Sequence, residues 1–335
     1  MLPKGIQRNI VMTKRDTTVL VLGNFNEYAV ERLSGEFSVR RIPRGDAALV
    51  DAAWAGDVQG IASMSTVDAA LIDALPNLKI IGNFGVGYDA VDAKHAATRN
   101  VMVTNTPDVL TDEVADTALG LLIDTVRELS KSQEFLRAGN WVKEGRYPLS
   151  KLSLRGRKVG IFGLGRIGKA VAHRVEAFGL PVSYHNRRKA EGVAYGYYPS
   201  LLELAKAVDT LILVAPGGAE TANAVNAEVL QALGPDGVLI NVGRGSLVDE
   251  DALIAALNNG TIAAAGLDVF ANEPSVPQGL LDAPNTVLLP HIASASQKTR
   301  QAMADLVIDN LISWFDTGSA LTPVPETVHV KAVRQ

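Results

Sequence analysis

The sequence predicts an α/β protein made of two doubly wound, parallel-sheet domains. Three observations carry that prediction. Short apolar runs alternate with stretches of helical periodicity along most of the chain, the pattern of parallel strands joined by crossover helices. The chain is 335 residues long, enough for about two domains. One strand–turn–helix segment, Lys158 to Arg188, carries the glycine fingerprint Gly163-Leu164-Gly165-Arg166-Ile167-Gly168.

In the first half, Thr18 to Leu22 reads as a strand, Glu27 to Leu33 as a helix and Phe37 to Ile42 as a second strand. Asp46 to Ala53 has helical character. Gly60 to Ser63 is a short buried strand, and Val67 to Leu75 is helical until Pro76-Asn77 ends it. Lys79 to Asn83 and Val101 to Val103 are further strands. This sheet has no glycine fingerprint, so it is assigned to substrate rather than to a dinucleotide. Asn105-Thr106-Pro107 breaks the pattern. Asp112 to Leu136 then reads as one long apolar helix, with Thr111 placed to cap it.

Val159 to Phe162 is a strand, Lys169 to Phe178 a helix and Pro181 to Tyr184 a second strand. Between them, Gly163 allows a tight turn, Gly165 lets the backbone approach a pyrophosphate and Gly168 lets helix and strand pack closely. Leu164, Arg166 and Ile167 share that turn, where free N–H groups and the helix dipole favour phosphate. This is a Rossmann dinucleotide unit. Such units place an acid about 20 residues on when they hold the ribose 2′-OH of NAD. Here the stretch is Tyr184-His185-Asn186-Arg187-Arg188, with no carboxylate and two cations. Asn186, Arg187 and Arg188 are therefore expected to hold a 2′-phosphate. NADPH is the preferred cofactor, and NADH is possible through the shared pyrophosphate site.

Further on, Ser200-Leu201-Leu202-Glu203 is a capping box. Thr210 to Val214 and Val238 to Val242 are strands. Asn226 to Leu233 is a helix closed by Gly234, and Glu250 to Leu257 is another. Ala264 to Val269 and Thr286 to Leu289 are the last strands, and Gln297 to Phe315 is a final amphipathic helix.

A net charge of −4 argues against a nucleic-acid partner. The absence of cysteine excludes disulfides, thiolate metal sites and thiol catalysis. The histidines have no metal-ligand spacing, so no metal is expected. No apolar run reaches membrane length. Met1 to Arg15 lacks the apolar core of a signal peptide, with Met12 as an alternative start and a frayed end expected. A cytoplasmic protein is the expectation.

Three features lie at or just past strand ends in the second half, where α/β sheets place their sites. Arg244, in Asn241-Val242-Gly243-Arg244-Gly245, suits bidentate capture of a carboxylate. Gly266 to Pro274 offers Asp268 and Glu273 beyond a strand. His291, in Leu289-Pro290-His291, can exchange a proton near neutral pH, and a nearby Glu would hold one ring nitrogen. Singly, each is an ordinary surface feature. As a set behind a nucleotide fold, they suggest a hydride-transfer site with a carboxylate clamp and a proton donor.

These residues resemble the D-isomer-specific 2-hydroxyacid dehydrogenases along nearly the whole chain. The matching stretches are Asn83 to Asp89, Asn105 to Thr111, the glycine fingerprint, Asn241 to Gly245, Gly266 to Pro274 and Leu289 to His291. The nearest resemblance is to the NADPH-dependent glyoxylate, hydroxypyruvate and hydroxyphenylpyruvate reductases. It implies Arg244, Glu273 and His291 as the catalytic trio and a small 2-oxoacid as substrate. It also implies that the backbone at Val86 and Gly87 joins Arg244 and His291 in holding that substrate. Asp268 would orient the nicotinamide carboxamide, and Ala215, Pro216 and Val242 are further cofactor contacts. The implied layout is a Rossmann domain, 107–290, inserted into a flavodoxin-like substrate domain, 1–106 with 291–335. The implied assembly is a homodimer, with Trp141 reaching the partner's site. The family's acid after the second nucleotide strand is missing, which agrees with the NADPH reading. Two alternatives stand beside it: reduction of an aromatic, hydroxyphenylpyruvate-like oxoacid, and a nucleotide-sensing binding protein.

Overall fold

The structure, a computed structural model, describes residues 16–332. The expectations for Met1 to Arg15 lie outside them. The chain divides into two compact units. One runs to Pro107 and resumes at Arg300, and the other is Asp108–Thr299.

The first unit has strands β1 (Thr18–Leu22), β2 (Ser38–Ile42), β3 (Val58–Ser63), β4 (Ile80–Asn83) and β5 (Met102–Thr104). Helices α1 (Glu27–Glu36), α2 (Ala52–Ala55), α3 (Ala69–Asp73) and α4 (Ala93–Thr98) connect them. All pairings are parallel, in the order β2-β1-β3-β4-β5, which is the flavodoxin-like order. Side chains alternate across the sheet, and both faces are buried. Leu20 and Leu22 of β1 pack with Ile61, Leu71 and Ile81 on one face. Val19 and Val21 pack on the other with Ala304, Val307, Ile308 and Leu311 of the last helix.

The second unit opens with α5 (Thr111–Arg127), α6 (Leu129–Arg137) and α7 (Asn140–Glu144). Then come β6 (Val159–Phe162), α8 (Arg166–Ala177), β7 (Val182–His185), β8 (Gly196–Tyr198), α9 (Leu201–Ala207) and β9 (Thr210–Leu213). It closes with α10 (Ala227–Leu233), β10 (Val238–Asn241), α11 (Glu250–Asn258), β11 (Ala264–Leu267), α12 (Gln278–Asp282) and β12 (Thr286–Leu288). The last helix, α13, is Gln297–Thr317. The seven strands are all parallel, in the order β12-β11-β10-β9-β6-β7-β8. The chain leaves β6 toward β7 and later returns to β9 on its other side. The glycine turn after β6 therefore sits at the switch point, where such sheets bind nucleotides.

Three local expectations are corrected. Asp46 to Ala53 is not one helix. It is a single 3-10 turn, Ala47–Leu49, followed by α2, whose first turn Asp51 caps by accepting from Ala53 N at 2.8 Å. The long helix is broken at Glu128, whose φ of 54° is left-handed. There the Asp124 carboxylate accepts from Ser130 N at 2.8 Å and so starts α6 separately. Thr111 is not the cap but the first helical residue, and its buried hydroxyl has no partner among the described residues. The edge strand β8 was not legible, because its run Gly196–Tyr198 is short and only partly buried. No helix among the described residues is long and apolar enough to cross a membrane.

Candidate active site

The nucleotide end of the site is built from backbone. Gly163 has φ +104°, and a Cβ there would come within 2.6 Å of Ala215 N, so only glycine lets the β6 and β9 loops lie this close. A Cβ at Gly168 would collide with the Gly163 carbonyl. At Gly165 a Cβ would meet nothing within 4 Å, so open space lies over the N-terminus of α8. That helix has no side-chain cap, which leaves its first N–H groups for an outside acceptor. An unfilled space beside uncapped N–H groups fits a pyrophosphate.

The loop after β7 is tied to this turn: Asn186 Oδ1 accepts from Leu164 N at 2.6 Å. Asn186 thus spends its oxygen on the glycine loop and keeps its Nδ2 donors. Arg187 Nη1 lies 2.8 Å from Glu220 Oε2, an ion pair with both side chains well exposed. Arg188 is exposed beside it. Arg166 pairs with Asp108 at 2.9 Å. Ala215 and Val242 are buried where β9 and β10 end, and the Pro216 carbonyl accepts from Thr221 Oγ1 at 2.9 Å.

The chemistry-bearing side chains sit at the ends of β10, β11 and β12. Asn241, buried at the end of β10, closes its own turn by accepting from Gly243 N at 3.1 Å and donating to the Arg244 carbonyl at 2.8 Å. Arg244 Nη1 donates to the Gly243 carbonyl at 2.8 Å. Past β11, the fully buried Asp268 accepts from Ile292 N at 2.7 Å and Ala293 N at 2.9 Å. His291 N also donates to the Asp268 carbonyl at 2.8 Å. These bonds hold His291 in its left-handed conformation, φ 54°. Burial pushes the Asp268 carboxyl up despite the two N–H donors.

Glu273 is held from two sides. Its Oε1 accepts from Phe270 N at 2.9 Å, and its Oε2 lies 2.7 Å from His291 Nδ1. Burial alone would raise its pKa. The His291 hydrogen bond, the Phe270 N–H and the charges of His291 and Arg244 outweigh burial and hold the carboxyl below its usual range. An ionised carboxylate can only accept, so Nδ1 carries the shared proton. Nε2 is then the nitrogen that exchanges protons with an outside group. It has no hydrogen bond among the described residues, and the side chain is 48% exposed.

Arg244, Glu273 and His291 are thus brought together within the second unit. Val86 and Gly87 lie in the first, on the loop after β4. Asn83 Nδ2 donates to the Gly85 carbonyl at 3.2 Å and the Gly87 carbonyl at 3.0 Å. Asn105 Nδ2 donates to the Val86 carbonyl at 2.8 Å. A trans peptide points its N–H opposite its C=O. Fixing these carbonyls therefore turns the N–H groups of Val86 and Gly87 the other way, as a pair of donors for an anion. Sequence reasoning missed the supporting amides Asn83 and Asn105, the Asp268 tether and Glu220. For the two amides the signal was present, since each directly ends or follows an apolar strand. Trp141, on α7, is 61% exposed beside a cavity of about 330 Å³ lined also by Phe135, Leu136 and Tyr147.

Residues 119–293 match the family model for the D-isomer specific 2-hydroxyacid dehydrogenase, NAD binding domain. A hydroxyphenylpyruvate reductase of Plectranthus scutellarioides is 49% identical over 262 residues, covering 78% of this chain and 83% of that protein. A glyoxylate/hydroxypyruvate reductase of Arabidopsis thaliana is 48% identical over 257 residues, covering 77% and 82%. The crystal structure of an NADPH-dependent glyoxylate/hydroxypyruvate reductase from Sinorhizobium meliloti, in complex with NADP and malonate, is similar with a TM-score of 0.93. It is 59% identical and covers 96% of this chain and 100% of that one.

Proposed function

This chain belongs to the D-isomer specific 2-hydroxyacid dehydrogenase family, and on that premise we propose that it reduces a small 2-oxoacid, glyoxylate or hydroxypyruvate, to the D-2-hydroxyacid with NADPH. The observation that carries the proposal is the His291–Glu273 pair with its Nε2 unengaged, close to the Arg244 charge. Gly163 to Gly168, Asn186, Arg187, Arg188, Ala215, Pro216, Val242 and Asp268 would hold the cofactor. Bound NADPH supplies the hydride to the keto carbon. His291 gives the Nε2 proton to the carbonyl oxygen as negative charge develops there. Glu273 keeps the ring oriented and offsets the positive charge while the ring is protonated. Arg244 binds the carboxylate and polarises the carbonyl. The backbone N–H groups of Val86 and Gly87, in the first unit, are further candidate donors to the carboxylate.

A homodimer goes with this reading. Leu129, Leu136, Trp141, Val142 and Leu149 are 49–95% exposed within one stretch of chain. So much exposed apolar surface in one segment is what a subunit contact covers. Sedimentation of the purified protein as a monomer at micromolar concentration would remove that part.

The likeness to a hydroxyphenylpyruvate reductase favours a second reading, an aromatic oxoacid as substrate. Oxidation of NADPH measured with glyoxylate, hydroxypyruvate and hydroxyphenylpyruvate decides between them through kcat/KM. Preference for the aromatic acid selects the second reading. No oxidation with any of the three selects a nucleotide-sensing protein and overturns both.

A further inference from the structure

The carboxylate-holding loop is braced from the far C-terminal segment of the chain. Asn310, on α13, is fully buried and all its amide positions are used. Its Oδ1 accepts from Leu321 N and Thr322 N, both at 2.9 Å. Its Nδ2 donates to the Leu306 carbonyl at 2.7 Å and to Thr322 Oγ1 at 2.9 Å. The Thr322 hydroxyl has one proton, and it goes to the Asn105 carbonyl at 2.7 Å. Asn105 N returns a bond to the Thr322 carbonyl at 3.3 Å. Asn105 then donates its side-chain amide to the Val86 carbonyl. The donor directions are all fixed. Asn310 must donate to Thr322, Thr322 to Asn105, and Asn105 to Val86.

We propose that Thr322, set by Asn310, is a positioning residue that holds Asn105 and through it aims the Gly87 N–H at the substrate carboxylate. The proposal rests on the reading of the Val86–Gly87 loop as a carboxylate site. The peptide between Val86 and Gly87 has its carbonyl pinned by Asn105, so its N–H points away from Asn105. Nothing else among the described residues pairs with the Val86 carbonyl. A small tilt of Asn105 therefore passes directly into the direction of that N–H. Thr322 touches neither the glycine fingerprint nor His291, so its loss acts on substrate binding and leaves cofactor binding and proton transfer alone.

Thr322→Val keeps the shape of the side chain and removes the hydroxyl that joins Asn310 to Asn105. Thr322→Ser keeps the hydroxyl. KM for the oxoacid should rise about three- to tenfold in Thr322→Val, the scale of one hydrogen bond. The kcat should stay within about twofold, NADPH Kd should be unchanged, and Thr322→Ser should restore KM. An unchanged KM, a fall in kcat without a rise in KM, or a failure of serine to restore KM overturns the proposal. A lowered melting temperature alone, with KM intact, also overturns it, because that is what a merely structural role predicts. Should Thr322→Val not fold, Asn105→Ala removes the amide to Val86 directly and the same KM criterion applies. Wild-type turnover in the oxoacid panel is measured in the same experiment. Its absence refutes the reading of function, whereas wild-type turnover with an unmoved KM in the variants refutes only the brace.

Discussion

Replacing Arg187 and Arg188 together by alanine should weaken NADPH far more than NADH. The two guanidinium groups and the Asn186 Nδ2 follow β7, where no acid stands to hold a ribose 2′-OH. A sheltered charge-assisted hydrogen bond contributes about 1.5–3 kcal/mol, but the Arg187 side chain is 83% exposed. Solvent screening reduces each arginine to roughly 0.2–1 kcal/mol. The sum is about 0.4–2 kcal/mol, or roughly 2- to 30-fold in NADPH Kd. Arg187 must also exchange its Glu220 partner for the 2′-phosphate. Glu220→Gln should therefore tighten NADPH by roughly two- to fivefold, the scale of one exposed ion pair, and leave NADH unmoved. Fluorescence titration of both cofactors at low and high ionic strength reads all of these, and salt should shrink the arginine effect. Equal losses for NADH and NADPH in the double variant, or equal wild-type affinities for the two, would refute the reasoning and leave the basic loop as a solvated face.

His291→Ala should lower turnover by about 10² to 10⁴ while NADPH Kd is unchanged, a usual range for loss of a general acid; unchanged turnover removes the residue from the mechanism. Arg244→Ala should raise the oxoacid KM roughly 10- to 100-fold, the loss of a charge-assisted carboxylate contact. If KM and turnover both survive that change, the clamp lies elsewhere. Glu273 carries a pH prediction with a definite sign. Its folded-state pKa lies below the ordinary 4.5, so its stabilising contribution is fully present above that value and is lost as pH falls through the lower folded value. The difference in melting temperature between wild type and Glu273→Gln should therefore be largest above about pH 5 and shrink toward pH 3. A difference that does not vary with pH would show that the carboxylate charge contributes nothing to the fold.

The sequence determined what depends on neighbours along the chain. The turn at Gly163 to Gly168 was legible because its requirements are backbone requirements within one turn: a left-handed φ, an open face and a close packing contact. The strands were legible because parallel strands buried on both faces are continuous apolar runs, as in Val238–Asn241. The absence of an acid in Tyr184 to Arg188, after the second nucleotide strand, could be read by position alone. Arg244, Glu273 and His291 stood out one by one only as ordinary charged residues at strand ends. Their common place at strand ends behind a nucleotide fold grouped them as a candidate hydride-transfer site, and the resemblance to a family then gave each its role.

Tertiary structure decided the rest. Sequence could not show that Asp268 grips Ile292 and Ala293, 24 and 25 positions away, and thereby fixes His291. Nor could it pair Arg187 with Glu220, or join Asn310 through Thr322 to Asn105, 217 positions from Thr322. Even Thr111, which has the right residue type for a cap, was displaced by one position, and Leu110 took its place. The physical reason is common to these cases. A turn or an apolar run is specified by local conformational preference and burial. A hydrogen bond between distant segments exists only once sheet register and helix packing have brought donor and acceptor within about 3 Å at the right angle.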